Sequence, residues 1–294
     1  MTGEPFLRSG FRAMGTDVTL LTSVGAHDDA LARVREAFET EEQRFSRFRE
    51  DSELSRVNRA AGSWCRISAG FEALLRFAIG QARTTAGRFD PTLLAAVRSA
   101  GYDRDFADVS RGPAGPSGPP VPGGGWRAIR LEPGRVRIPD GTGIDLGGVA
   151  KGWTVDLAAA AALEAGAAWA LVNAGGDLRI AGEAPALDVA IEDPADRSAE
   201  ALRVRLAAGG LATSSIRVRA WGEGRHHLID PATGAPADDA VIQASVWAAT
   251  CAEAETLATW ALLTGRSALD RVAGAIVTSD GDLVTSFPTT EVAA

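Results

Sequence analysis

Residues 144–152 read IDLGGVAKG, and an alanine-rich helical run, WTVDLAAAAALEAG, follows at once. This junction constrains the fold most. A carboxylate, paired glycines, a lysine and a further glycine are gathered at the mouth of a helix. A helix N-terminus carries unpaired N–H groups and a partial positive charge, which suits phosphate. Glycines let backbone approach a ligand closely. The segment is nevertheless not a P-loop, because Lys151 precedes its glycine, and no G-x-G-x-x-G follows a strand. Asp145 can equally be a helix cap.

The flanking sequence predicts strands and helices mixed without strict alternation, which favours an α+β fold over a doubly wound sheet. Apolar residues at helical spacing predict a helix over 28–45, and further helices are expected at 70–85 and 252–264. Strands are expected at 18–21, 168–173, 178–180, 187–191, 202–206, 211–213 and 242–249. Hairpins are expected around Pro133-Gly134 and Asp280-Gly281. The segment FSRFREDSELSRVNRAAG reads as polar and turn-rich, and Pro91 is placed to start a short helix. Residues 107–125 are rich in Pro and Gly and read as a linker or excursion.

With 294 residues and 46% hydrophobic content the chain can bury a sizeable core. Its formal net charge of −8 argues against a nucleic-acid surface, so positive field for a phosphorylated ligand must be made locally. Cys65 and Cys251 match no zinc spacing and are expected to be reduced thiols. No apolar run is long enough to span a bilayer, and no signal peptide is read at the start. The expectation is a cytoplasmic protein without membrane insertion.

Several polar groups stand out. Asp177 ends NAGGD after a predicted strand and reads as a turn carboxylate or a site residue. HHLIDPATG places His227 and Asp230 at a turn, where His227 is either hydrogen-bonded structure or a general base. Glu255 and Thr259 lie four apart on one helix face and offer two oxygens to a hard cation.

Taken in order, MGT at residues 14–16, FSRFREDSELSRVN, GRFDPT, IDLGGVAKGWTVD, LVNAGGDLRIAG, LATSS, HHLIDPATG and AEAETLAT closely resemble the ApbE family of FAD:protein FMN transferases. The resemblance covers about residues 11–265. It implies a single ApbE-type domain over residues 1–294, built of two interlocked lobes resembling the T-fold, with the flavin between them. It also implies Mg²⁺-dependent cleavage of FAD, joining of FMN to a Thr or Ser hydroxyl of an acceptor flavoprotein, and release of AMP. Related activities are an FAD pyrophosphatase yielding free FMN and AMP, and flavin binding without chemistry.

Carried over residue by residue, the resemblance puts Met14 on the flavin or adenine region and Asn58 near the phosphates. Arg88, Phe89 and Asp90 form a wall, Asp145 contacts FAD, Lys151 lies near the adenylate, and Ile242 packs on the cofactor. Gly148, through its backbone oxygen, and Glu255 with Thr259 fall on the metal positions. Asp177 shapes the floor near the reacting phosphorus. His227 is the expected base, oriented by Asp230 or Asp177. Two positions depart from the family pattern: Glu255 stands where Asp is usual, and Ser215 replaces a glycine.

Overall fold

The computed structural model describes residues 6–111, 118–222 and 224–287. The chain opens with β1 (Phe6–Ala13), β2 (Thr16–Ser23), α1 (His27–Phe45), α2 (Glu53–Arg59), β3 (Cys65–Arg66), α3 (Ala69–Thr84), α4 (Leu94–Ser99) and α5 (Phe106–Arg111). Next come β4 (Arg130–Glu132), β5 (Arg135–Arg137), α6 (Ala150–Glu164), β6 (Trp169–Ala174), β7 (Asp177–Gly182), β8 (Leu187–Glu192), β9 (Glu200–Leu206) and β10 (Gly209–Ser215). It closes with β11 (Ala220–Trp221), β12 (Arg225–His226), β13 (Val241–Ala248), α7 (Cys251–Thr264), β14 (Ala273–Thr278) and β15 (Leu283–Thr285). The fold is α+β, as expected.

The residues divide into two compact units. The first takes residues up to 40, 151–214 and 240 onward. The second takes 41–150 and 215–239.

The first unit is built on an eight-stranded sheet in the order β1-β2-β6-β7-β10-β13-β14-β15. β1, β2, β6, β7 and β10 pair antiparallel in turn, as do β13, β14 and β15. Period-two alternation shows in β2, where Val18 and Leu20 are buried between less buried neighbours. Those side chains join Val34 and Phe38 of α1, Val155, Ala158 and Ala162 of α6, and Val172 of β6 in one core cluster. The buried alanines of α6 present only methyl groups to that cluster. Leu157 points the other way and is exposed. β1 carries no strand signal in the sequence, because seven of its eight residues are polar, small or exposed; it is held by full register with β2 from Ala13↔Thr16 to Phe6↔Ser23.

The second unit carries α2 to α5 and a small sheet ordered β3-β5-β4. The segment read as polar turns contains α2, because the Ser52 hydroxyl accepts the Ser55 N–H at 3.0 Å and Glu53 occupies the first turn. Local polarity hid an amphipathic helix whose buried face is only Leu54 and Val57. Tyr102, Trp221 and Ile229 pack with Ala96 and Val97 into a core of its own.

Part of the 107–125 excursion, residues 112–117, lies outside the described residues. What is described after it is pinned to the second unit rather than acting as a linker. Gly118 N–H donates to the Ser99 carbonyl at 2.8 Å, and Ser99 Oγ donates to the Pro119 carbonyl at 2.6 Å. Gly123 N–H meets the Pro231 carbonyl at 2.8 Å, and Gly124 N–H meets Asp90 Oδ2 at 2.5 Å. Gly234, at φ +71°, lies so close to Val121 that any Cβ would fall 2.2 Å from that residue's carbonyl carbon. Backbone hydrogen bonds and close packing decide this segment, and composition does not report either.

Among the described residues no helix is long and apolar enough to cross a membrane.

Candidate functional site

The first unit gathers Lys151, Asp177, Glu255, Thr259 and Ser214. Lys151 opens α6, one residue after its start. Its ammonium pairs with Asp177 and stands 3.4 Å from Glu255 Oε1. Asp177 opens β7 at 1% exposure and accepts the Thr213 N–H at 3.3 Å. Glu255 is 6% exposed, and its Oε2 accepts the Gly152 N–H at 2.8 Å. Residue 152 must be glycine for this contact: a Cβ there would sit 2.7 Å from the Cys251 carbonyl oxygen. One turn along α7, Thr259 Oγ1 shares a 3.0 Å hydrogen bond with Ser214 Oγ.

Two buried carboxylates thus share one lysine, which leaves a net negative charge in a poorly solvated place. The oxygens around it are carboxylate and hydroxyl, the donor chemistry of a hard divalent cation such as Mg²⁺. The residues present fit such an ion. Among the described residues no cluster of three or more His, Cys, Asp and Glu is placed to hold a metal, so hydroxyl or backbone oxygens would have to complete the set. The extra methylene of Glu255 is accommodated, since Gly152 and Lys151 engage both its oxygens.

Asp156, on the same helix as Lys151, turns both oxygens to the start of α7 at Cys251 and Ala252, each at 2.9 Å. Burial raises its carboxyl above the usual range, against the pull of those two N–H groups and of Arg179. Cys251 is buried and free, and burial together with Asp156 and Glu255 pushes its thiol well up, so it is an inert thiol. Cys65 is also buried and free.

Met14 and Ile242, also in this unit, hold unusual backbone positions. Met14 (φ 50°) and Gly15 (φ 71°) are the two tip residues of the β1–β2 hairpin, a geometry that favours Asn-Gly. A methionine there is uncommon. Ile242 sits at the register shift of β13 between Val241 and Gln243, a bulge that re-aims a side chain.

In the second unit the Asp145 loop is held from several sides. Asn58 clamps Ile144 with both ends of its amide: Nδ2 donates to the carbonyl at 2.9 Å and Oδ1 accepts the N–H at 2.7 Å. Asp145 N–H reaches the Pro91 carbonyl at 2.8 Å, and Asp145 Oδ1 accepts the Gly147 N–H at 2.8 Å. Asp145 therefore closes a turn before α6 and does not cap it. Arg47, which the sequence did not single out, stands 3.4 Å from Asp145 Oδ2 and also donates to the Tyr102 carbonyl at 2.7 Å. A cavity of about 350 Å³ opens beside Asn58, with Arg47, Arg59, Arg98 and Thr142 on its walls. Gly148 follows this loop, and a Cβ added there would lie 3.5 Å from the Phe89 ring.

Phe89 and Asp90 are buried, whereas Arg88 is 45% exposed and lies 3.9 Å from Asp230. Asp90 accepts from Thr92 N–H at 2.7 Å, Thr92 Oγ1 at 2.5 Å and Gly124 N–H, so it fixes the GRFDPT loop. Of the two adjacent histidines, His226 is 5% exposed, bonded through Nε2 to the Ala237 carbonyl at 3.1 Å and depressed in pKa by burial. His227 is half-buried, with Nδ1 3.4 Å from the Arg219 carbonyl. Asp230 Oδ1 accepts the Ala232 N–H at 2.9 Å. Ser215 needs no glycine-like backbone: among the described residues only Met14 and Ala86 are non-glycines at positive φ.

These features define an α+β protein whose first unit carries an oxygen-rich cluster with a single lysine at a helix mouth, suited to phosphate with a hard cation. Residues 14–278 match the ApbE family, and the chain belongs to that family. It is 30% identical over 274 residues to the FAD:protein FMN transferase of Treponema pallidum (strain Nichols), covering 80% of this chain and 71% of that one. Its fold is that of the ApbE protein of Thermotoga maritima, with TM-score 0.85, 24% identity and coverage of 96% and 97% of the two chains. It is also that of the flavin transferase ApbE of Vibrio cholerae, with TM-score 0.78, 21% identity and coverage of 99% and 98%.

Proposed function

We propose that this chain is an FAD:protein FMN transferase. The hydroxyl oxygen of a Thr or Ser on an acceptor flavoprotein attacks the FMN phosphorus of FAD, the bond from that phosphorus to the AMP oxygen breaks, and AMP leaves. The observation that carries the reading is the buried Lys151–Asp177–Glu255 cluster with Thr259 and Ser214 beside it.

In this reading Lys151 balances the pyrophosphate charge, a role that a cation at a helix start suits. Glu255 and Thr259 would hold Mg²⁺ through a carboxylate and a hydroxyl oxygen. That ion, when bound, neutralises charge developing on the phosphate oxygens. Asp177 keeps Lys151 in place at the floor of the site. Asp145 contacts FAD, and Asn58 and Arg47 hold its loop. Met14, Phe89 and Ile242 supply apolar contact, while Arg88 and Asp90 complete the wall. His227 takes the acceptor hydroxyl proton. The Arg219 carbonyl lies 3.4 Å from Nδ1 and orients the ring, with Asp230 holding the turn.

The test combines pure protein, FAD, Mg²⁺ and an acceptor domain, with flavin fluorescence read on a denaturing gel and AMP assayed in the same tube. A fluorescent acceptor with matching AMP is the expected result. AMP without label would make the protein an FAD pyrophosphatase. FAD bound but uncleaved in excess Mg²⁺ would make it a flavin-binding protein. Glu255→Ala should abolish AMP release; undiminished release in that variant removes Glu255 from the metal site.

A further inference from the structure

Glu255 and Thr259 are only as well aimed as the helix that carries them, and the start of α7 is gripped by a carboxylate the proposed function leaves unused. Asp156 Oδ1 accepts the Cys251 N–H and Oδ2 the Ala252 N–H, both at 2.9 Å. The Thr250 hydroxyl accepts the Glu253 N–H at 3.2 Å. The first three amides of α7, which no helical carbonyl can reach, are therefore all met by side chains. Asp156 is itself braced. Arg179 Nε lies 3.7 Å from Oδ1, and Arg179 Nη1 donates to the Ala249 carbonyl just ahead of the cap.

A single cap would need only Thr250. The second, two-oxygen hold comes from another helix, so it fixes rotation as well as helix formation. Asp156 lies about one turn along α6 from Gly152, whose N–H bonds Glu255 Oε2. Glu255 lies about one turn along α7 from Cys251. Two turns of α6 thus grip two successive turns of α7, with Asp156 at one end and the Gly152 amide at the other. Loosening the Asp156 end lets α7 roll about its axis, and each residue's worth of roll swings Glu255 and Thr259 by about 100°.

We infer that Asp156 is a positioning residue: it sets the roll of α7 so that the Glu255 carboxylate and the Thr259 hydroxyl face one hard divalent cation. The inference rests on the reading of Glu255 and Thr259 as cation ligands.

The experiment measures Mg²⁺ binding to the full chain by calorimetry and the metal-free Tm in parallel, for wild type, Asp156→Asn, Arg179→Met and Glu255→Ala. Asn offers one acceptor and sets an NH₂ against an amide N–H. Asp156→Asn should therefore weaken Mg²⁺ about tenfold, the lower end of what losing a residue that orients ligands costs. Arg179→Met keeps both amide bonds and removes only the brace, so it should fold and weaken Mg²⁺ less. A plain cap predicts a lower metal-free Tm with Mg²⁺ affinity unchanged in both variants, and that result overturns the inference. Glu255→Ala separates the two claims. If it retains wild-type Mg²⁺ binding, the ligand reading fails and the inference fails with it. If it loses binding while Asp156→Asn and Arg179→Met retain it, only the inference fails.

Discussion

Met14 is held in the left-handed region at a two-residue hairpin tip, where a non-glycine costs roughly 1–2 kcal/mol. Such strain persists where the side chain is needed. Met14→Asn creates the Asn-Gly pair this turn favours, and the small hairpin gain offsets the packing that Met14 gives up at the edge of the core. Tm should stay within about 3 °C of wild type, while FAD affinity, read by fluorescence quenching, falls about tenfold, a loss of about 1.4 kcal/mol. Unchanged FAD affinity would take Met14 out of the cofactor site. His226 gives a pH prediction. Burial depresses its imidazole, so the unfolded chain binds a proton that the native state resists. Its contribution to stability is complete above the ordinary histidine value near 6.5 and is lost as pH falls from there through the depressed folded value. His226→Gln, which can still donate to the Ala237 carbonyl, should flatten the fall in Tm between about pH 7 and about pH 5. Parallel curves for variant and wild type would assign the acid loss to other groups. The adjacent pair also shows what residue type alone leaves open. Of HHLIDPATG the sequence singles out His227, and only burial shows that its neighbour His226 is a structural ring.

At the scale of elements, α6 is the pivot of the first unit. Its Ala158, Ala159 and Ala162 face the core, and its first turn meets the start of α7. Gly152→Ala should push α6 from α7, because the new methyl would meet the Cys251 carbonyl; overpacking of this kind costs about 1–3 kcal/mol. Urea unfolding measures it, and a loss below about 0.5 kcal/mol would mean that the two helices separate freely. The same elements show what could be read beforehand. α1 and α3 announce themselves by apolar spacing, and the hairpins by Pro133-Gly134 and Asp280-Gly281. β1 and α2 were missed because their stability comes from pairing with β2 and from one serine cap, with few apolar residues to mark them. The second half of the excursion was read as a linker because hydrogen bonds to Ser99, Asp90 and Pro231 leave no trace in composition.

At the scale of the molecule, neither unit is a continuous stretch of chain. The boundary at residue 40 falls inside α1, and the boundary at 214 falls inside β10. Within the second unit, Tyr102 packs on Trp221 at 5.4 Å between ring centroids, joining residues from its two separate segments. A fragment of residues 41–150 lacks Trp221 and Ile229 from its core and should show no cooperative urea transition; a sigmoidal transition would show that this segment folds by itself.

The amino-acid sequence by itself determined the α+β class and most helices and strands, and its resemblance to the ApbE family marked out the candidate site residues from Met14 to Thr259. The elements follow from periods of two and 3.6 residues and from turn and capping chemistry, all of which act within a few residues. Only the tertiary structure decided that Lys151 would join Asp177 to Glu255, that Asn58 would clamp Ile144, that Arg47 would face Asp145, and that Asp156 would grip α7. Each of these joins groups far apart in the chain. Its strength depends on distance and desolvation in space, which no local pattern of residues encodes.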